Sequence, residues 1–161
     1  MAEDPHPDAH HARPLLVLHP PVLGVAALLA AWGLQVAFPL PLSLFAGQWL
    51  LGTVLAGIGA VPALMASVQF LRAGTNIPTY FPATALVTGG IYRFSRNPIY
   101  LGGLVVLIGL AVIFANGWLL VATPVVAVLL DRVVIGPEER HLEARFGEDY
   151  RAYRARTRRW L

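Results

Sequence analysis

The sequence predicts an all-α integral membrane protein with about four transmembrane helices and a C-terminal amphipathic cytoplasmic helix. Only 13% of its 161 residues are charged, roughly half of the share that is usual in soluble globular domains. No Asp, Glu, Lys or Arg occurs between Arg13 and Arg72, or between Arg96 and Asp131. Both stretches are long enough for helices of about 20 apolar residues, the length that crosses the hydrocarbon core of a bilayer.

The N-terminal part begins with residues 1–14, which we predict to be a disordered polar tail. Its three histidines have nothing nearby to fix them around a metal, and we predict no metal site. The first transmembrane helix covers about Val17–Phe38 and is interrupted early by His19-Pro20-Pro21. Pro39 and Pro41 end this helix, because proline lacks the amide hydrogen and clashes with the preceding turn.

The second transmembrane helix covers about Gln48–Leu71 and completes a helix pair over residues 15–72. It carries small residues at nearly four-residue spacing: Gly52, Ala56, Ala60 and Ala63. Such spacing lets helices approach closely in lipid. We therefore expect this face to pack against another helix, and self-association with a neighbouring copy is one outcome that it allows.

The third and fourth segments, about Pro98–Ala115 and Trp118–Ile135, form a tight helical hairpin around Asn116-Gly117. Asn-Gly also suits a β-hairpin, but these runs are too long and too rich in Leu for strands. Gly136-Pro137 then starts the C-terminal helix, since proline followed by acids is a helix-start signal. Its apolar stripe predicts a helix lying on the membrane surface, with a break at Gly147 allowed.

The arginines predict the orientation of the chain. With four spans, both termini and the loop Arg72–Asn97 lie on one side, which then holds every Arg. The turns on the other side, Pro39–Gly47 and Asn116-Gly117, hold none. The positive-inside rule places the Arg-rich side in the cytoplasm. Eight arginines follow Asp131, and beside membrane helices they indicate contact with anionic membrane lipids rather than nucleic acid.

Two polar clusters on the Arg-rich side are candidates for chemistry. Asn97-Pro98 suits the start of the third helix, whose N-terminus favours a bound carboxylate. Glu138 and Glu139 are suited to hold an ammonium group or ribose hydroxyls. A purely structural interpretation stays open: Asn97 caps a helix, Arg96 binds lipid phosphate, and both acids favour the helix dipole. The sequence has no cysteine, no Ser-His-Asp set and no zinc-like histidine pair.

These clusters resemble the isoprenylcysteine carboxyl methyltransferase and phospholipid methyltransferase family of membrane enzymes. The family pattern is Gly-x-Tyr, three residues, Arg-His-Pro-x-Tyr-x-Gly, and after a hydrophobic hairpin Glu-Glu-x-x-Leu. Here it stands as Gly90-Ile91-Tyr92, Arg96-Asn97-Pro98-Ile99-Tyr100-Leu101-Gly102 and Glu138-Glu139-Arg140-His141-Leu142. The resemblance runs from about Leu86 to the C-terminus, where Arg159-Trp160 is similar to the bacterial branch of the family.

The resemblance implies a methyltransferase core at residues 73–161 that binds S-adenosyl-L-methionine. Its implied cofactor-binding residues are Leu86, Val87, Tyr92, Asn97, Pro98, Ile99, Tyr100, Gly102 and Glu138. Its implied catalytic residues are Glu138, Glu139 and Arg96, and Arg132 is a candidate for binding the substrate. Asn97 departs from the family's His, so an imidazole base at this position is not available to the mechanism.

The function that the resemblance implies is methyl transfer to a lipophilic acceptor, either an isoprenylcysteine-like carboxylate or a lipid amine. The implied location is a bacterial inner membrane, with both termini cytoplasmic. Two alternatives stay open. One is an NADPH-dependent membrane reductase of the sterol reductase type, and the other is a non-enzymatic membrane scaffold with a lipid-binding tail.

Overall fold

The structure, a computed structural model, describes residues 19–74 and 84–161. The predicted polar tail at residues 1–14 lies outside the described residues. The described part of the chain is built from helices. In chain order these are α1 (Pro20–Ala37), α2 (Gln48–Arg72), a 3₁₀ turn (Gly90–Arg93), α3 (Pro98–Ile113), α4 (Gly117–Leu129), a π-helical segment (Leu130–Ile135) and α5 (Gly136–Arg156).

Helix α1 begins at Pro20, where the sequence predicted an interruption of an earlier helix. Proline is favoured in the first turn because its missing amide hydrogen would have no helical partner there. His19-Pro20-Pro21 is therefore the start of the helix. At its other end Phe38 closes α1 with a backbone hydrogen bond to Leu34, directly before the prolines that were predicted to end it.

The predicted helical hairpin at Asn116-Gly117 is confirmed. Oδ1 of Asn116 accepts a hydrogen bond from the Leu119 amide at 3.2 Å and so caps α4. Nδ2 of Asn116 donates to the Ala31 carbonyl at 3.3 Å, and the Gly117 amide donates to the Leu40 carbonyl at 2.8 Å. The last two bonds join the turn between α3 and α4 to α1 and to the turn between α1 and α2.

Helices α2 and α3 pack backbone against backbone through glycines. A Cβ added to Gly59 would lie 2.5 Å from the Gly102 carbonyl, and one added to Gly52 would lie 2.7 Å from the Gly109 carbonyl. The small-residue face of α2 is therefore occupied by α3 of the same chain. Self-association stays a prediction, but it requires a different surface from the one that suggested it.

Helix α4 continues into α5 through the π-helical segment Leu130–Ile135 without a break at Gly136-Pro137. The predicted start of the C-terminal helix at Gly136-Pro137 is confirmed, but α5 follows the π-helical segment directly, since the backbone angles of Ile135 are helical. The allowed break at Gly147 is confirmed, since its φ of 54° and ψ of −120° are not helical.

Within residues 19–74 and 84–161, three helices are long and apolar enough to cross a membrane: Pro20–Ala37, Gln48–Arg72 and the continuous Gly117–Arg156. The predicted third span is the shorter apolar helix α3, whose 16 residues extend about 24 Å. Large apolar side chains are exposed on the outer faces of α1 and α2, among them Leu29, Val36 and Leu64. An apolar outer surface of this extent suits lipid rather than water. The predicted all-α membrane fold is confirmed.

The apolar stripe of α5 faces the protein and not the membrane surface. Tyr150 and Tyr153 are almost fully buried, and they form a cluster with Ala66 of α2 and Tyr92. The expectation that this stripe lies on lipid is wrong, because helical spacing alone does not distinguish a protein partner from a membrane. The packing brings α5 over the end of the helices where α3 begins.

Candidate active site

The segment before α3 is held against α2 and α5. Gly90 has a φ of 56°, which glycine adopts without strain, and a Cβ there would collide with the side-chain amide of Gln69. The Tyr92 ring packs on Phe70 with 4.9 Å between centroids. The Tyr92 carbonyl accepts a 2.8 Å hydrogen bond from the Tyr153 hydroxyl. These contacts fix the 3₁₀ turn at the end of the bundle.

Glu139 lies between two arginines. Arg96 donates to Oε1 of Glu139 through Nη2 at 2.8 Å and through Nε at 3.1 Å. Arg159 donates to both carboxylate oxygens, and its Nη1 donates to Asp131 at 3.0 Å. The hydrogen bonds to Glu139 raise the pKa of the Arg159 guanidinium above its usual value. Glu139 is 8% exposed, so this compensation is needed for a buried charge.

Residues 157–161, here called the C-terminal strap, run back along the segment before α3. The Arg96 amide donates to the Arg158 carbonyl at 2.9 Å. Ser95 Oγ and Asn97 Nδ2 both donate to the Arg159 carbonyl, at 3.2 and 3.1 Å. Asn97 occupies the N-cap position of α3, as predicted, but its side chain bonds to the strap instead of capping the helix.

Glu138 differs from its neighbour in every contact. Its Oε1 accepts a 2.8 Å hydrogen bond from the Tyr100 hydroxyl of α3. Within the described residues, no arginine lies at ion-pair distance from Glu138, in contrast to the two that pair with Glu139. Glu138 therefore retains acceptor capacity for a ligand.

Two cavities of different chemistry meet at this position. The smaller one, of about 50 Å³, lies between the segment before α3 and α5. The residues that line this cavity alone include Leu86, Val87, Glu139, Leu142, Tyr150 and Tyr153. The larger one, of about 430 Å³, lies between α1, α3 and α4. Its mostly apolar lining includes Pro20, Leu28, Pro98, Ile99, Tyr100 and Leu107. Five residues border both cavities: Phe70, Tyr92, Arg96, Asn97 and Glu138.

The predicted site residues are distributed over these two cavities. Leu86, Val87 and Glu139 border the smaller cavity, whereas Pro98, Ile99 and Tyr100 border the larger one, and Tyr92, Arg96, Asn97 and Glu138 border both. Two predicted residues lie elsewhere. Gly102 faces α2, where a Cβ would lie 2.8 Å from the Ala63 Cβ, and Arg132 is exposed and borders neither cavity.

Sequence reasoning missed three residues that build the site. Phe70 borders both cavities, yet in sequence it is one more apolar residue of a membrane helix. Asp131 and Arg159 complete the ion cluster around Glu139, although they stand far from it along the chain. The Arg159-Trp160 pair near the C-terminus could have indicated a role for Arg159 in the site, but only because it is similar to the bacterial branch of the family.

The fold and the site together define a helical membrane protein with a small pocket, bordered by Glu138 and Glu139, beside a larger apolar cavity at the end of its helices. Residues 47–149 match the phospholipid methyltransferase family. This match covers more than half of the sequence, and the chain therefore belongs to the phospholipid methyltransferase family. The resemblance found in the motifs is confirmed, but the match begins before Leu86 and includes α2.

Comparisons with single proteins and with solved structures give no information on function. An uncharacterized protein of Haemophilus influenzae is 30% identical over 63 residues, which make up 39% of this chain and 100% of that relative. No solved structure matches the chain. Family membership therefore carries the conclusion that this chain is a membrane methyltransferase. Methyltransferases of this family generally use S-adenosylmethionine.

Proposed function

We propose that this protein transfers a methyl group from S-adenosylmethionine to a lipophilic acceptor at the cytoplasmic face of the membrane. The observation that carries the proposal is that a small cavity bordered by the charged residues Arg96, Glu138 and Glu139 meets a larger apolar cavity at Tyr92, Asn97 and Glu138. A reaction between a water-soluble cofactor and a lipid needs such a junction, because each reactant reaches it from a different solvent.

The residues around the smaller cavity fit the cofactor chemically. Leu86, Val87 and Leu142 offer apolar surface for an adenine ring, and Glu138 offers an acceptor for ribose hydroxyls or an ammonium group. When bound, S-adenosylmethionine supplies a methyl group on a sulfonium, which a nucleophile displaces in line. Ligand pockets usually measure about 300–1,000 Å³. The cavity of about 50 Å³ must therefore widen when the cofactor binds.

The larger cavity fits the apolar part of the acceptor. It is lined mainly by aliphatic residues of α1, α3 and α4, and it ends at Glu138 and Tyr100. An acyl or isoprenoid chain in this cavity would keep its apolar surface out of water while its polar head lies at the junction. The chain's own residues thus supply binding and orientation, which account for much of the barrier lowering in a transfer reaction.

The charges at the junction favour an amine acceptor over a carboxylate. Arg96 is bonded to Glu139 and to the carbonyls of Arg154 and Thr157, and Arg159 is shared between Glu139 and Asp131. Both arginines thus already pair with carboxylates of the protein, which makes them poorer partners for an acceptor carboxylate. Glu138 can accept the proton that an ammonium group must lose before its nitrogen attacks the methyl carbon.

Calorimetry on the detergent-purified protein tests this proposal. We expect saturable binding of S-adenosylmethionine, and weaker binding by about tenfold in Glu138→Gln, since the ligand loses its hydrogen bond to the Glu138 carboxyl group. Glu148→Gln, a change on the exposed side of α5, should bind like the wild type. Thermal unfolding verifies that each variant is folded. Binding of NADPH instead, or no binding of S-adenosylmethionine by a folded sample, would overturn the proposal.

A further inference from the structure

The Tyr92 hydroxyl is a buried polar group without a hydrogen-bond partner among the described residues. The whole residue is only 3% exposed. Buried hydroxyls normally have a partner, because removing one from water without compensation is unfavourable. A hydroxyl that remains unpaired beside two cavities is therefore suited to a ligand.

The position of this hydroxyl is fixed from three sides. The Tyr92 ring packs on Phe70, its carbonyl accepts from Tyr153, and the turn that carries it is set against Gln69 at Gly90. Such support is what a positioning group requires, since a loosely held side chain would not orient a reactant.

Tyr92 also borders both cavities. Burial raises the pKa of Tyr92 above its usual value, and the proximity of Tyr153 and Glu138 adds to this effect. Tyr92 therefore stays protonated at neutral pH, with one hydrogen to donate and lone pairs that accept.

We propose that the Tyr92 hydroxyl accepts a hydrogen bond from the N–H of the acceptor's amine, and so positions its nitrogen between the two cavities. This inference rests on the proposed function and goes beyond it by separating two tasks. Glu138 takes the proton from the amine, while Tyr92 orients the nitrogen so that its lone pair points toward the cofactor side. Tyr92 then determines specificity for the acceptor and is not part of the cofactor-binding site.

The test is Tyr92→Phe, which removes one oxygen and retains the ring that packs on Phe70. Methyl transfer is measured from labelled S-adenosylmethionine to dioleoylphosphatidylethanolamine in mixed micelles, with N-acetyl-S-farnesylcysteine as the carboxylate probe. We expect the KM for the phosphatidylethanolamine to rise about tenfold, the effect of one lost hydrogen bond. The Kd for S-adenosylmethionine should stay within about twofold of the wild type, because that ligand keeps its contacts.

The outcomes that would overturn the inference differ from the one that would overturn the proposed function. If the Kd of Tyr92→Phe for S-adenosylmethionine rises while the acceptor KM is unchanged, the hydroxyl binds the cofactor and the inference is overturned. Unchanged values for both ligands would also overturn it. A wild-type protein that binds S-adenosylmethionine but methylates only the farnesylcysteine, or neither probe, would overturn the amine assignment and leave the cofactor proposal standing. Failure of the wild type to bind the cofactor would instead remove the proposed function.

Discussion

Glu138 and Glu139 are adjacent in sequence but have different environments, because successive residues of a helix point about 100° apart. Glu139 is enclosed by Arg96 and Arg159. Glu138 contacts Tyr100 and borders both cavities. The resemblance implied a catalytic role for both acids, which stays a prediction. The contacts favour different roles for the two acids. Glu139 holds the strap and Arg96 in place, whereas Glu138 binds the ligands.

We expect Glu139→Gln to destabilise the protein by about 2–3 kcal/mol, because it leaves the partly buried guanidinium groups of Arg96 and Arg159 without their shared carboxylate. Thermal unfolding in detergent measures the change. Glu148→Gln is the matched control. Its ion pair with Arg151 is largely exposed, so its loss should cost less than about 1 kcal/mol.

The same variant separates a structural role from a catalytic one. A Glu139→Gln protein that melts like the wild type yet has lost methyl transfer would show that Glu139 acts in the reaction. If it is unstable but retains activity at low temperature, its role is to hold Arg96 and the C-terminal strap.

At the scale of elements, the contact between α2 and α3 positions the site, since α3 carries Pro98, Ile99 and Tyr100 into the larger cavity. The contact depends on glycines, because any side chain at Gly59 would meet the backbone of α3. Helices in lipid gain no hydrophobic driving force from their association, so the free energy of association must come from close van der Waals packing.

We predict that Gly59→Ala destabilises the protein by about 1–3 kcal/mol, the usual effect of overpacking. The control is Gly57→Ala in the same helix, where an added Cβ meets nothing within 4 Å. That change should be neutral or stabilising by up to about 1 kcal/mol, because alanine favours the helix. Melting temperatures in one detergent compare the two variants, and equal losses in both would contradict the packing argument.

The sequence predicted those features of the elements that depend on local composition. Apolar length located α2 and α3 to within a few residues, and Asn116-Gly117 located the turn between α3 and α4. The π-helical segment Leu130–Ile135 had no such signal, because its apolar composition resembles that of the α-helix before it. The strap was equally unpredictable, since it bonds mainly through backbone groups of Arg158 and Arg159.

At the scale of the whole molecule, the positive charge is confined to one end of the helices. Among the described arginines, those outside the helices α1 to α4 lie in the segment before α3, in the π-helical segment, in α5 or in the strap, and Arg72 ends α2. The turns at the other end, which meet at the Pro41–Asn116 bridge, contain no Arg. This asymmetry supports the predicted orientation, with the site facing the cytoplasm.

The natural absence of cysteine makes this orientation directly testable by single-cysteine labelling. We predict that Ser43→Cys, in the turn between α1 and α2, reacts with a membrane-impermeant maleimide in intact expressing bacteria. Glu148→Cys, on the exposed side of α5, should react only after the membrane is opened, because the Arg-rich end is retained in the cytoplasm. Both positions are exposed in the structure, so reactivity reports sidedness. The reverse pattern would turn the site outward, where S-adenosylmethionine is not supplied, and would contradict the proposed function together with the orientation.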